Sequence, residues 1–94
     1  MNSPLVSVIV PTYSRPLRLR RALRSIAAQT MQDFEILVVN DGGLDVFDVV
    51  SDYERTLYID CSANRGLPAA RNQGLDAARG RWIAYLDDDD WFYP

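Results

Sequence analysis

The sequence predicts an α/β fold in which a mostly parallel sheet lies between two helical layers, and two patterns carry this prediction. Four short apolar runs alternate with three segments in which apolar residues recur at helical spacing. Turn-forming Pro, Gly, Asn and Asp residues follow several of the apolar runs directly. The resulting order, β-α-β-α-β-α-β, implies parallel strands joined by crossover helices in a three-layer α/β/α, Rossmann-like arrangement.

The first predicted strand covers residues 5–10, an almost continuous apolar run typical of a strand buried on both faces. Pro11 is expected to end it. In the helix that follows, we expect Ser14 to be the cap and Pro16 to lie in the first turn. The apolar face of this helix, spaced i, i+3, i+4, i+7 and i+8, consists of Leu19, Ala22, Leu23, Ile26 and Ala27.

A second buried strand is predicted over residues 34–39, and the turn sequence at residues 40–43 closes it. The second helix is predicted over residues 45–54, with Asp45 as its cap. Its apolar face consists of Val46, Val49, Val50 and Tyr53.

The third and fourth strands are predicted at residues 56–59 and 82–86. Between them, a helix is expected to start near Pro68 and to end before Gly80, a residue type favoured just beyond helices. Small side chains are expected to let this helix lie close against the sheet. They are Ala69, Ala70, Gly74, Ala77 and Ala78.

Composition limits the 94 residues to one small domain and argues against several classes of function. The net charge is −3, so the arginine-rich first helix is not expected to bind nucleic acid. A single cysteine, Cys61, and the absence of His exclude an internal disulfide and a Cys/His zinc site. No apolar run is long enough to span a membrane and no signal-peptide pattern begins the chain. We therefore expect a cytoplasmic protein, with membrane association of the intact protein left open.

Four consecutive aspartates, residues 87–90, follow the fourth predicted strand. Because like charges repel, a fold keeps them together only where a cation or a structural contact offsets the repulsion. The run alone leaves two interpretations open. The carboxylates hold a divalent metal at the carboxyl end of the strand, where open α/β sheets bind ligands. Alternatively, they form a solvated turn in which Asp90 caps a short helix over residues 91–93.

The loops that follow the strands are expected to meet at one edge of the sheet. There Tyr13 can stack on a base, Asp41 can accept a hydrogen bond from a base edge, and Arg71 can reach a phosphate. Each also has a plain structural interpretation, as a core-edge aromatic, a turn residue and a solvated arginine. Their convergence with the acidic run favours a metal-dependent nucleotide site. Neither the dinucleotide motif G-x-G-x-x-G after the first strand nor the P-loop motif G-x-x-x-x-G-K-[ST] is present.

Seven segments occur in an order and spacing that belong to a known family. They are residues 6–15, 29–30, 33–36, 39–42, 64–67, 69–72 and 80–90. Together they resemble the amino-terminal half of the family two glycosyltransferases, and the resemblance covers nearly the whole chain. It implies a GT-A fold, a nucleotide-sugar donor that is often UDP-linked, and a Mn²⁺ or Mg²⁺ ion.

The resemblance also assigns roles to the residues that would bind the donor. It implies that Pro11, Thr12 and Tyr13 line the nucleoside pocket, with Tyr13 against the base. Asp41 would bind the edge of the base, and Arg71 would approach the base or the phosphates.

The acidic run is similar to the family's D-x-D motif. By this resemblance Asp87 and Asp89 are the two motif aspartates and catalytic metal ligands, with Asp89 the first choice for direct ligation. Asp88 would reach the ribose or the metal shell, and Asp90 is assigned to a helix cap.

The activity that the resemblance implies is inverting hexosyl transfer to a hydroxyl of a glycan, lipid-linked or other acceptor, as in polysaccharide or cell-envelope glycan synthesis. Family members place the acceptor site and a carboxylate general base in the second half of the domain. Residues 1–94 are therefore expected to be the donor half and to be inactive alone. Asn40 and Ser14 stand where the family often has Asp and Asn, and neither is a required site residue.

Two other functions remain as alternatives. A sugar-nucleotide nucleotidylyltransferase shares the fold plan and the need for metal, but it would normally carry a Gly-rich, basic loop after the first strand. A non-catalytic nucleotide-binding or scaffolding domain would keep the fold without metal-dependent binding.

Overall fold

The computed structural model describes residues 3–90 of the chain. Its helices and strands alternate in the predicted order. They are β1 (Val6–Thr12), α1 (Pro16–Ala27), β2 (Phe34–Asp41), α2 (Phe47–Val50), β3 (Thr56–Cys61), α3 (Leu67–Ala77) and β4 (Trp82–Tyr85).

The four strands form one parallel sheet in the order β3-β2-β1-β4. β1 pairs with β2 from Val6 to Thr12, but it pairs with β4 only from Val6 to Ile9. β2 and β3 thus lie on one side of β1, and β4 lies on the other side. Such a reversal of strand order leaves a crevice beyond the carboxyl ends of the two strands, where open α/β sheets bind ligands.

Helices cover both faces of the sheet, which confirms the three-layer prediction. The larger core cluster joins α1, α2 and one sheet face, with Leu23 of α1 and Val38 of β2 fully buried in it. The smaller cluster joins α3 to the opposite face, where Ala70 packs among Ile9 and Leu37. Of the five residues predicted for the apolar face of α1, four are buried, whereas Ala27 at the helix end is exposed.

β1 continues through Pro11 to Thr12, so the expectation that Pro11 ends the strand is wrong. The Ile9 carbonyl accepts a hydrogen bond from Leu86 N at 3.0 Å and therefore points toward β4. Alternate residues present their backbone groups to the same side, so Pro11 also faces that side, where β4 has already ended. The missing N–H of Pro11 consequently removes no bond from the ladder between β1 and β2.

α1 begins at Pro16, as expected, but Ser14 does not cap it. The N-cap is Arg15, without a side-chain capping bond. Ser14 adopts a φ of 53°, and its hydroxyl accepts a hydrogen bond from Leu44 N at 3.0 Å. Ser14 therefore joins the loop after β1 to the loop after β2.

α2 is one turn long, whereas the sequence predicted a helix over residues 45–54. Beyond Val50 the N–H groups of Asp52 and Tyr53 bond to carbonyls three residues back, as in a tightening turn. Arg55 then takes a φ of 58° and turns the chain into β3. Asp45 lies one residue before the N-cap, and its carboxylate still accepts from Phe47 N at 3.1 Å.

α3 lies close against the sheet because Gly74 faces β1. A Cβ on Gly74 would come within 2.6 Å of the Ile9 side chain. The helix ends at Ala77, so Gly80 is not its C′ residue. Instead, Gly80 N donates to the Ser7 hydroxyl at 2.7 Å, and the close approach to β1 leaves no space for a side chain.

Candidate functional site

A cavity of about 370 Å³ opens at the carboxyl ends of β1, β2 and β4, in the crevice that the strand order creates. The end of β1, the turn after β2, the start of α3 and the residues after β4 form its walls. The lining residues are Pro11, Thr12, Tyr13, Arg15, Asp41, Asn64, Gly66, Leu67, Ala70, Asp87, Asp88 and Asp89.

The acidic loop, residues 87–90, places three of its four carboxylates together. Oxygens of Asp87, Asp89 and Asp90 lie within 4.8 Å of one another. A turn closed by Asp90 N donating to the Asp87 carbonyl at 3.0 Å brings the two ends of the loop together. Because Mg²⁺ and Mn²⁺ prefer carboxylate oxygens, this donor set fits a divalent cation. The helix that Asp90 was expected to cap lies outside the described residues.

Asp88 points the other way, into the protein. Its side chain is buried, and Oδ2 accepts a hydrogen bond from the Thr12 hydroxyl at 2.8 Å. Its Oδ1 lies 3.3 Å from Nη1 of Arg15, which forms an ion pair with it. Asp88 therefore links the acidic loop to the end of β1 and the start of α1.

Arg71 of α3 contacts the acidic loop. Its Nη2 lies 3.2 Å from Oδ1 of Asp87, and its guanidinium carbon is 5.6 Å from the centre of the Tyr85 ring. The Nε atom is buried and has no hydrogen-bond partner among the described residues. Arg71 thus places a positive charge beside the carboxylate cluster.

Asp41, at the end of β2, uses its carboxylate to hold the start of α3. Its two oxygens accept hydrogen bonds from Arg65 N and Gly66 N, each at 2.9 Å. Gly42 follows with a φ of 78° and packs against the backbone of Ala63 and Asn64, so a side chain there would collide. Each carboxylate oxygen keeps a second lone pair that a ligand can use.

Tyr13 stands at the rim of the cavity with half of its surface exposed. Pro11 and Thr12, buried at the end of β1, form the wall beneath it. An exposed aromatic ring beside a cavity is suited to stacking on a planar ring.

Asn40 and Tyr58 support the turn that carries Asp41, a role that sequence reasoning missed. The buried Asn40 amide donates to the Tyr58 hydroxyl at 2.9 Å and accepts from Gly43 N at 2.9 Å. The Tyr58 hydroxyl in turn donates to Asp45 at 2.9 Å. Burial raises the pKa of Tyr58, so the hydroxyl stays protonated. The polar Asn-Asp-Gly-Gly turn signals a bend, but it does not reveal the partner 18 residues away.

The structure brings the residues singled out in the sequence to one edge of the sheet. Most of them line the cavity, and Arg71 forms an ion pair with Asp87, which is one of the lining residues. Arg15 was missed as an individual site residue, although it follows directly on the β1 loop. No helix among residues 3–90 is long and apolar enough to cross a membrane. The cytoplasmic location stays a prediction.

Comparison with known proteins identifies relatives of the chain. Residues 7–94 match the sequence profile of the family described as Glycosyl transferase family 2. The glycosyltransferase GlyA of Streptococcus pneumoniae is 42% identical over 91 residues, which are 92% of this chain and 13% of GlyA. The chain therefore spans a small part of this relative's length.

Solved structures show the same fold. S. aureus TarS 1-349 in complex with UDP-GlcNAc is 32% identical, with a TM-score of 0.83 over 93% of this chain and 27% of that chain. The mannosyltransferase PcManGT from Pyrobaculum calidifontis, in complex with GDP-Man and Mn²⁺, is 24% identical. Its TM-score is 0.87 over all of this chain and 30% of that chain. These likenesses confirm the predicted α/β fold class, and the solved structures that the chain resembles are GT-A glycosyltransferases.

Proposed function

The chain belongs to glycosyl transferase family 2, and we propose that the protein is a metal-dependent, inverting enzyme that transfers a sugar from a UDP-linked donor to an acceptor hydroxyl. The observation that carries the proposal is the convergence of the acidic loop, Tyr13 and Asp41 around one cavity at the strand reversal. The 94 residues supply the donor and metal site in this proposal. The relatives extend well beyond the matched region, and we place the acceptor site and general base there.

The nucleoside would occupy the part of the cavity between β1 and β2. Tyr13 would stack on the base, Pro11 and Thr12 would form the wall, and Asp41 would accept from an N–H on the base edge. Because Asp41 is already fixed by two backbone N–H groups, it would offer its free lone pairs in a set direction. The UDP-GlcNAc complex of TarS, a protein 32% identical, supports uracil as the base.

The diphosphate would lie toward the acidic loop and Arg71. Asp89 is our first choice as direct metal ligand, with Asp87 beside it and Asp90 within reach. A bound Mn²⁺ or Mg²⁺ would offset the negative charge of the nucleoside diphosphate leaving group. Arg71, now paired with Asp87, would donate to a phosphate oxygen.

The transfer itself is a single displacement. The acceptor oxygen attacks the anomeric carbon from the side opposite the diphosphate, the bond from that carbon to the phosphate oxygen breaks, and the configuration inverts. A carboxylate base takes the acceptor proton. Because no residue of the donor site is assigned to this step, we propose that these 94 residues are inactive alone.

A titration with nucleotides tests the proposal. Amide shifts of Tyr13, Asp41 and Asp89 would be followed by NMR as UDP is added with Mg²⁺ or with EDTA, and again with GDP and dTDP. We expect saturable shifts at all three residues with UDP and Mg²⁺, and much weaker binding with EDTA. Unchanged shifts would instead support a non-catalytic scaffolding domain. Acceptor-dependent turnover of a radiolabelled donor by the 94 residues would contradict the assignment of a donor half.

A further inference from the structure

We propose that Thr12 and Arg15 are positioning residues that hold the acidic loop in the conformation that gathers its metal-binding carboxylates, and that they act through Asp88. The inference rests on the proposed function for its metal, but the loop conformation can be tested without one. It assigns Asp88 to the support of the site rather than to the ribose or the metal shell.

The four carboxylates of the acidic loop differ in their exposure to solvent. Asp88 is 5% exposed, whereas Asp89 and Asp90 are exposed and Asp87 is partly exposed. A buried carboxylate is unfavourable unless it is hydrogen-bonded and paired with a cation. Asp88 has both kinds of partner, so its side chain is held inside the protein, while the more exposed Asp87 and Asp89 line the cavity.

The partners of Asp88 belong to two other elements of the fold. Thr12 is the last residue of β1, and Arg15 is the N-cap of α1. The two contacts join the loop after β4 to the end of β1 and to the start of α1. From the same helix, Arg21 Nη2 donates to the Asp89 carbonyl at 3.4 Å, which adds a third attachment on the exposed side.

The ion pair between Arg15 and Asp88 also lowers the charge repulsion within the acidic loop. Four adjacent carboxylates in one cluster would repel one another strongly. Pairing Asp88 with Arg15 removes one of them from the cluster and leaves Asp87, Asp89 and Asp90 to share a cation. Residues that orient metal ligands in this way affect metal affinity without touching the metal.

Thr12→Val removes the hydroxyl at nearly constant shape, and Thr12→Ser keeps the hydroxyl. Two measurements on the purified protein compare them with wild type. The first is Mn²⁺ affinity by electron paramagnetic resonance without nucleotide. The second is the exchange of the Asp90 amide proton with water, measured by NMR without metal, because that amide closes the turn of the acidic loop.

We expect Thr12→Val to weaken Mn²⁺ binding by about 10-fold to 100-fold and to speed exchange at Asp90, and Thr12→Ser to restore both. The matched control is Ser7→Ala. Ser7 lies on β1, as Thr12 does, but away from the cavity, and its buried hydroxyl donates a hydrogen bond to Glu35 of β2 at 2.6 Å. We expect this control to lower stability but to leave Mn²⁺ affinity and Asp90 exchange unchanged. Melting temperatures separate loss of fold from loss of loop conformation.

The two readouts distinguish the two ways of failing. If wild type does not bind Mn²⁺ but Thr12→Val still speeds exchange at Asp90, the metal-dependent function is contradicted and the positioning of the loop is supported. If exchange at Asp90 is the same in Thr12→Val and wild type, or if Ser7→Ala changes it equally, the positioning role is overturned.

Discussion

Arg71 and Asp87 form an ion pair at the edge of the cavity, with Nη2 of Arg71 3.2 Å from Oδ1 of Asp87. The contact joins α3 to the acidic loop and gives one proposed metal ligand a positive neighbour before any ligand arrives. Both side chains are more than one-third exposed, so the pair contributes little to the stability of the fold. Its importance lies in the charge that it places where a diphosphate would bind.

We expect Arg71→Gln to weaken nucleotide binding without weakening metal binding. Loss of a charge-assisted hydrogen bond to phosphate weakens UDP binding by about fivefold to tenfold. Mn²⁺ alone binds no more weakly than in wild type, since the cluster has lost a repelling cation. Calorimetric titrations measure both affinities. Arg20→Gln, which breaks the exposed pair with Asp52, is the control and should change neither.

A second prediction concerns Glu35, which lies at the opposite end of the sheet from the cavity. Burial would raise its pKa, but hydrogen bonds from Ser7 and from the backbone and side chain of Arg79 outweigh burial and lower it. A carboxyl with a lowered folded pKa stabilises the fold at pH above its unfolded value of about 4.5. That contribution is lost as the pH falls below this value.

The measurement is the urea midpoint of wild type and Glu35→Gln at pH 7 and at pH 3.5. We expect the variant to be less stable by about 1–3 kcal/mol at pH 7, because donors of Arg79 lose their ionised acceptor. The difference between the two proteins should shrink at pH 3.5. A difference that stays constant across this range would show that ionised Glu35 does not contribute.

The third prediction tests the close contact of α3 with the sheet. Gly74→Ala would normally stabilise a helix by about 0.5–1 kcal/mol. Here the new Cβ would lie 2.6 Å from the Ile9 side chain, so we expect a net loss of about 1–3 kcal/mol. Gln73→Ala, at the exposed neighbouring position, should stay within about 0.5 kcal/mol of wild type. Denaturant unfolding that shows Gly74→Ala to be more stable would contradict the packing described.

The features that the sequence predicted well depend on local patterns. The spacing of Leu19, Ala22, Leu23 and Ile26 identifies the buried face of α1, because helical periodicity is set by neighbours along the chain. Turn residues after the strands likewise locate the loops that meet at the cavity.

The features that were missed depend on partners far away in sequence. Pro11 stays in β1 because β4 stops short of it, and Ser14 bonds to Leu44 instead of capping α1. Asp88 is directed inward by a hydroxyl 76 residues earlier in the chain. Neither the spacing of apolar residues nor the turn residues can predict these contacts, because the contacts form only when the strands assemble into the sheet.

The most direct test of the central claim is UDP affinity measured by calorimetry in wild type, Asp89→Asn and the control Asp76→Asn, an exposed position on α3. With Mn²⁺ present, we expect Asp89→Asn to bind UDP at least about tenfold more weakly than wild type. We also expect Asp76→Asn to bind UDP as wild type does, and EDTA to reduce the UDP affinity of wild type to the level of Asp89→Asn. Equal UDP affinity of wild type and Asp89→Asn in the presence of Mn²⁺ would contradict a metal-dependent donor site at the acidic loop.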